Sequence, residues 1–173
     1  LLRSLQVVDS DAEESFDRIT RLAARLFRVP ICLISLVDAE RQWFKARAGL
    51  SVAETPRDTS FCAYTFLTGA PDVVVVPDAL RDRRFRHSPI VTGPPHLRFY
   101  AGAPLILEGV KLGALCLLDT APHEAGAFGV ADKANLVALA ETVVVELQRR
   151  RRVLRGQLGH ITAVAHNLQV WCQ

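Results

Sequence analysis

Residues 98–119 read "RFYAGAPLILEGVKLGALCLLD", and the rest of the architecture is read outward from them. Two runs of apolar and small residues, 98–107 and 110–119, are broken at Glu108-Gly109. A two-residue break with glycine between such runs predicts an antiparallel hairpin. Alternation along the first strand points Arg98 and Tyr100 to one face of the sheet and Phe99 to the other. The adjacent aromatics therefore belong to different environments.

Upstream, "ICLISLVDAERQWFKARAGL" predicts strands over 31–37 and 42–48 joined by a turn at Asp38–Arg41. The first is apolar on both faces, so it is placed in the centre of the sheet. "DVVVV" is a further short strand, and residues 51–59 are a polar connection. Residues 11–27 carry Phe16, Ile19, Leu22, Ala23 and Leu26 at helical spacing, with Ser10 or Asp11 as the cap and Pro30 as the end. "SFCAYTFLTG" reads as a short helix capped by Asp58 or Thr59. "PDALRDRRFRHSPIVTGPPH" is a polar loop with a helical turn, too long for a plain connector. A long helix spans about 126–155, after which Gly156 and Gly159 interrupt the pattern. Strand pairs with tight turns, flanked by helices, make an α+β domain built on an antiparallel sheet.

At 173 residues the chain suits one domain with an added helical arm. It begins with Leu1 and contains no Met, which reads as a segment of a longer protein. No secretory leader and no apolar run of spanning length is visible, so a cytoplasmic location is expected. Cys32, Cys62, Cys116 and Cys172 are widely separated and lack zinc spacing, so they read as reduced thiols without a metal. The net charge of +3 comes from "RRRRVLR" at 149–155, which holds five of the 21 basic residues; the rest carries 16 basic against 18 acidic side chains. A nearly neutral body argues against nucleic-acid binding. The four arginines Arg149–Arg152 are read as a solvated helix face rather than a membrane contact.

Five segments in order, "LVDAERQWFKARAGL", "DTSFCAYTFLTG", "VVVPDALRDRRF", "PIVTGPPHLRFYAGAPL" and "KLGALCLLDTAP", resemble the GAF domain family. With the flanking helices the resemblance covers about 11–148. It implies a central antiparallel sheet of five or six strands. The terminal helices would pack on one face, with a pocket roofed by the short helix and long loop on the other. It also implies a regulatory module, residues 1–148, followed over 149–173 by a signalling helix leading to a fused output domain.

On that geometry the ligand-pocket candidates are Phe61, Cys62 and Tyr64 on the short helix, Asp78 at the start of the loop, and Arg98 and Tyr100 on the strand. A cation, a phenol and apolar walls suit an unidentified small anionic or aromatic ligand. Alternatively, Arg98 pairs with Asp78 or Asp82 and pins the loop. Cyclic nucleotide is disfavoured because the Asn-Lys-x-Phe…Asp-Glu signature of GAF domains that bind it is missing. Bilin is disfavoured because no cysteine adjoins a histidine, and haem because His87 and His96 are loop residues. Free methionine sulfoxide reductases share a GAF-like fold and use cysteines, but their motifs are not visible, so no catalytic residue is expected. Leu136, Ala140, Val143, Leu147, Leu154 and Ile161 recur at four-three spacing. That is the seam of a parallel coiled coil and predicts a homodimer. A ligand-free dimerisation spacer is the competing function.

Overall fold

The computed structural model describes residues 1–67 and 69–171, with the side chains of Arg3, Thr59 and 157–171 left aside. Six strands form one antiparallel sheet in the order β3-β2-β1-β6-β5-β4. They are β1 (Ile31–Val37), β2 (Arg41–Ala48), β3 (Glu54–Pro56), β4 (Val74–Val76), β5 (Phe99–Leu107) and β6 (Val110–Asp119). β1 and β6 are central, as the two-sided apolar reading of 31–37 requires. β3 was not expected. It is a three-residue edge strand containing Pro56, short enough to be hidden in a polar connection.

Helices α1 (Glu14–Phe27) and α3 (Val130–Trp171) cover one face, where Phe16, Ile34, Phe99, Leu105, Leu117 and Leu136 share the main core. The hairpin alternates as read: Phe99 joins this core, while Tyr100 joins the opposite cluster with Phe61 and Cys116. α1 buries Phe16, Ile19 and Ala23, but Leu22 and Leu26 are 55% and 52% exposed. The stripe is thus narrower than the spacing suggested. Ser10 and Asp11 do not cap α1; the Ser10 hydroxyl and the Asp11 carbonyl accept hydrogen bonds from the Lys45 ammonium instead.

The register of β2 on β1 passes from Ile34–Ala46 to Ser35–Phe44, leaving Lys45 as the extra residue of a bulge. Phe44 keeps the roofed face, and Lys45 turns to the helical face beside the Phe16 ring, its side chain 0% exposed.

The first half of the expected dimer seam packs within the chain. Leu136, Ala140, Val143 and Leu147 are all buried against the sheet of their own chain. Helix-on-sheet and coiled-coil seams share this periodicity, and in the first half of α3 the sheet takes the stripe. Arg150, the charged position in that stripe, donates to Glu13 and to the Leu5 carbonyl. Leu154 is half-buried, and the Ile161 side chain lies outside the described residues. α3 begins at Val130 rather than 126 and runs through Gly156 and Gly159 without a break. An interior glycine costs a helix only about 1 kcal/mol, which long flanks absorb. The helix also crosses 148–149, so the expected domain boundary is not an element boundary.

Candidate functional site: a roofed apolar pocket

The face of the sheet away from the helices is covered by a 3-10 turn, Cys62–Phe66, and by the segment from Pro77 to Leu97, which contains the short helix α2 (Pro89–Thr92). The short helix read from the sequence is of the tighter 3-10 kind, and no side-chain hydrogen bond from its N-cap position caps it. The Ser60 hydroxyl accepts the Ala63 N–H at 3.2 Å, and the Thr65 hydroxyl donates to the Cys62 carbonyl at 2.7 Å, which fixes it. An aromatic chain ties roof to sheet. Phe61 stacks on Phe85 at 3.8 Å between centroids, Tyr64 meets Phe85 edge-on at 4.6 Å, and Phe61 lies 5.4 Å from Tyr100.

Between roof and sheet is a cavity of about 210 Å³. Its floor is Ile31 and Leu33 of β1, Phe44 of β2, Tyr100 of β5, and Cys116 and Leu118 of β6. Phe61, Cys62, Ile90, Pro94, Pro95 and Leu97 close it from the roof, and Leu50 and Val52 from the rim. Its polar groups are the Tyr100 phenol, the two thiols, Gln42, Thr55 and Ser60; the Ser60 hydroxyl donates to the Gln42 amide oxygen. Among the described residues no Asp, Glu, Lys, Arg or His lines it. An ionised ligand would therefore enter without a counter-charge, at a high desolvation cost.

Three of the six pocket candidates, Phe61, Cys62 and Tyr100, meet in this cavity. Tyr64 instead faces a separate cleft with Arg84, Ser88 and His87. Asp78 and Arg98 face each other. Arg98 Nε and Nη2 donate to the two Asp78 carboxylate oxygens at 2.8 and 2.9 Å, and the Ala79 N–H donates to the Arg98 carbonyl at 2.6 Å. The Arg98 guanidinium holds the Asp78 carboxyl below its ordinary value, against the opposing effect of desolvation. The pair fastens the start of the roof segment to β5 and supplies no cation to the cavity. Replacing Arg98 with alanine is expected to lower the melting temperature while leaving the affinity of the pocket for a neutral probe unchanged. Thermal denaturation and a binding titration on the same preparation check both halves.

The residues that spacing could not bring together are the thiols. Cys62 and Cys116 are 54 positions apart, yet their sulfurs lie 2.8 Å from each other. The Tyr100 hydroxyl donates to Cys62 Sγ at 3.4 Å and lies 3.6 Å from Cys116 Sγ. Gly102 makes this possible, since a Cβ there would stand 2.1 Å from the Tyr100 hydroxyl. Burial pushes the Cys116 thiol and the Tyr100 phenol up. For Cys62 burial acts the same way, but hydrogen bonding with Cys116, Tyr100, Ser35 and Ser60 together outweighs it and brings the thiol below its ordinary value. Cys32, on the helical face, is pushed up to about 12 by burial. His87 and His96 do not line the cavity. Among the described residues no group of three or more His, Cys, Asp or Glu could hold a metal ion, and no helix is long and apolar enough to cross a membrane.

Comparison with known proteins places this architecture. Residues 11–147 match the family model of the GAF domain. A cyclic di-GMP phosphodiesterase of Pseudomonas aeruginosa is 43% identical over 148 residues, which is 85% of this chain and 24% of that protein. The chain thus spans about a quarter of the length of that relative. The crystal structure of the GAF domain from an Acinetobacter phosphoenolpyruvate-protein phosphotransferase superposes with a TM-score of 0.65 at 21% identity, over 87% of this chain and 92% of that one. A free methionine-R-sulfoxide reductase from Neisseria meningitidis, in complex with its substrate, gives 0.64 at 19% identity over 87% of both chains. At these identities the two structures establish the shared fold alone.

Proposed function

The chain belongs to the GAF domain family over residues 11–147, and from that premise we propose that it is the sensing segment of a longer signalling protein. It takes a small, neutral, largely apolar or aromatic molecule into the roofed cavity and acts through its terminal helices. The observation that carries this reading is the cavity of about 210 Å³ with no charged side chain among the described residues of its lining. With Arg98 committed to Asp78, the anionic alternative loses its cation. A phosphate-bearing ligand such as a cyclic nucleotide would also lack a partner there. A ligand-free spacer would be expected to fill the space with side chains, so the open cavity favours the sensor.

The output is proposed to lie outside these residues. The relative named as a cyclic di-GMP phosphodiesterase supports a signalling context, and its greater length leaves room for a separate catalytic domain. Pocket and output helix meet at β2: Phe44 lines the cavity, and the next residue, Lys45, binds Glu13, which also binds Arg150 of α3. Homodimerisation is retained as part of the proposal. Its contacts would be the helix surfaces left open by the monomer, with exposed Leu22, Leu26, Val145 and Val153.

A panel of neutral aromatic compounds, each with a carboxylate analogue of matched size, tests the ligand class by thermal denaturation. A neutral ligand at 100 times its dissociation constant should stabilise the domain by about 2.7 kcal/mol. For a domain of this size that raises the melting temperature by roughly 5–10 °C. Carboxylate analogues should give no shift. Leu118→Trp, which fills the floor, should abolish the neutral shifts.

A further inference from the structure

Cys62 and Cys116 are contributed by different layers: Cys62 by the roof turn, Cys116 by the central strand β6. Their sulfurs are 2.8 Å apart, so a displacement of less than an ångström would bond them. Both are shielded from bulk solvent but line the cavity, so a reagent reaches them only through it. The cavity is small and has no charged residue among the described ones that line it, which admits hydrogen peroxide or a compact organic hydroperoxide and discriminates against ionic oxidants such as glutathione disulfide. The phenol of Tyr100 lies within 3.6 Å of both sulfurs and can pass a proton among them and a bound peroxide.

We propose that Cys62 and Cys116 are a peroxide-reactive dithiol, closing to a disulfide when a small neutral hydroperoxide enters the pocket. Cys62 gives up its proton and its sulfur attacks the distal peroxide oxygen, forming S–O as O–O breaks. The departing alkoxide takes the proton that Cys62 released, relayed by Tyr100, and leaves as alcohol, or as water when the oxidant is hydrogen peroxide. The Cys116 sulfur then attacks the sulfur of the Cys62 sulfenic acid. S–S forms, S–O breaks, and the hydroxide leaves as water with the Cys116 proton. In sum, two thiols and one hydroperoxide give a disulfide, an alcohol and water, the dithiol losing the two electrons the peroxide gains. Cys62 acts first because its sulfur receives the Tyr100 hydrogen bond. The product staples the roof turn to β6, so oxidation reshapes the pocket ceiling.

The test treats the whole 173-residue chain with hydrogen peroxide and, separately, cumene hydroperoxide. Samples are quenched in acid, denatured, alkylated and digested for mass spectrometry. The expected product is a peptide pair linked through Cys62 and Cys116, with Cys32 still alkylated. Cys116→Ser should stop at a sulfenic acid on Cys62 that dimedone traps. Tyr100→Phe should slow linkage about tenfold and move its rate profile to higher pH, the scale of one hydrogen bond to a charged sulfur. The proposal is overturned if both thiols stay alkylatable under peroxide that oxidises the denatured chain. It is overturned equally if either is oxidised to sulfinic acid without linkage. An unchanged rate and profile in Tyr100→Phe would remove the relay. Linkage is read without any other ligand, so the result stands apart from the pocket's ligand class.

Discussion

Gly113→Ala is expected to destabilise the domain by about 4 kcal/mol, lowering the melting temperature by roughly 8–16 °C. Gly113 of β6 pairs with Leu36 of β1 and with Leu105 of β5, at the middle of the sheet. A Cβ at this position would stand 1.8 Å from the Ser35 carbonyl oxygen and 2.9 Å from the Leu36 Cα. Both obstacles are backbone, so relief requires the two central strands to separate, and close-packed interiors yield little. The cost is large against a total stability of about 5–15 kcal/mol. Urea denaturation followed by circular dichroism measures it. Gly109→Ala is the control: its Cβ meets nothing within 4 Å, and only its φ of +75° penalises the change. That variant should lose about 1 kcal/mol. Equal losses in the two variants would contradict the close approach of β1 and β6.

The second large effect is expected from Glu13→Gln, at about 2–3 kcal/mol. Lys45 is fully buried, and Glu13 Oε1 accepts from its Nζ at 2.6 Å and from Arg150 Nε at 2.7 Å. Glu13→Gln leaves the buried ammonium with neutral oxygens only, those of Ser10 and Asp11 and the new side-chain amide, and with no counter-charge. The Glu13 carboxylate is about one-third exposed, so solvent screens part of the loss and keeps it below the full buried-pair value. Burial alone would raise the Glu13 pKa, but the hydrogen bonds and charges of Lys45 and Arg150 prevail and hold it below its ordinary 4.5. A carboxyl depressed in the folded state adds stability that is present above 4.5 and lost as pH falls through the folded value. Wild-type stability should therefore drop with acid below that point, and the Glu13→Gln curve should be flatter over the same window. Parallel curves would show that Glu13 is not the titrating link between β2 and α3. Lys45→Met in the Glu13→Gln background should recover part of the loss, because it removes the stranded charge.

The hairpin at 98–119 and the two-sided apolar run at 31–37 were legible because period-two patterning and a glycine turn are local signals. The family resemblance implied a sheet of five or six strands with helices on one face; the strand order came from the structure alone, since connectivity within a sheet is not written in any one segment. α3 shows the limit of periodicity. Leu136, Ala140, Val143 and Leu147 identify a buried helix face but not whether the partner is a second copy or the chain's own sheet. Arg150 in that stripe was a usable signal: a charge there needs a local partner, which Glu13 supplies.

At the site, the roofed geometry implied by the resemblance, joined to strand alternation, singled out Phe61, Cys62 and Tyr100, and these three side chains line the cavity. Asp78 and Arg98 belonged to the open alternative in which they meet each other. The bulge that turns Lys45 inward is a register event between two strands, with no signature in "QWFKARA". The Cys62–Cys116 contact joins a roof turn to a central strand and needs the third dimension. Its trace in the sequence is Gly102, two residues after Tyr100, where a missing side chain lets the phenol reach the sulfurs.

The cavity is expected to receive a neutral, largely apolar molecule. Methyl-labelled ¹H–¹³C spectra recorded during titration with indole, and separately with benzoate, test it most directly. Indole is predicted to move the methyl signals of Ile31, Leu33, Ile90, Leu97 and Leu118, which line the cavity, and to leave Leu105, Leu117 and Leu136 on the helical face in place. Benzoate is predicted to move none of them. Binding of benzoate as tight as that of indole, or indole shifts confined to the helical face, would contradict the account.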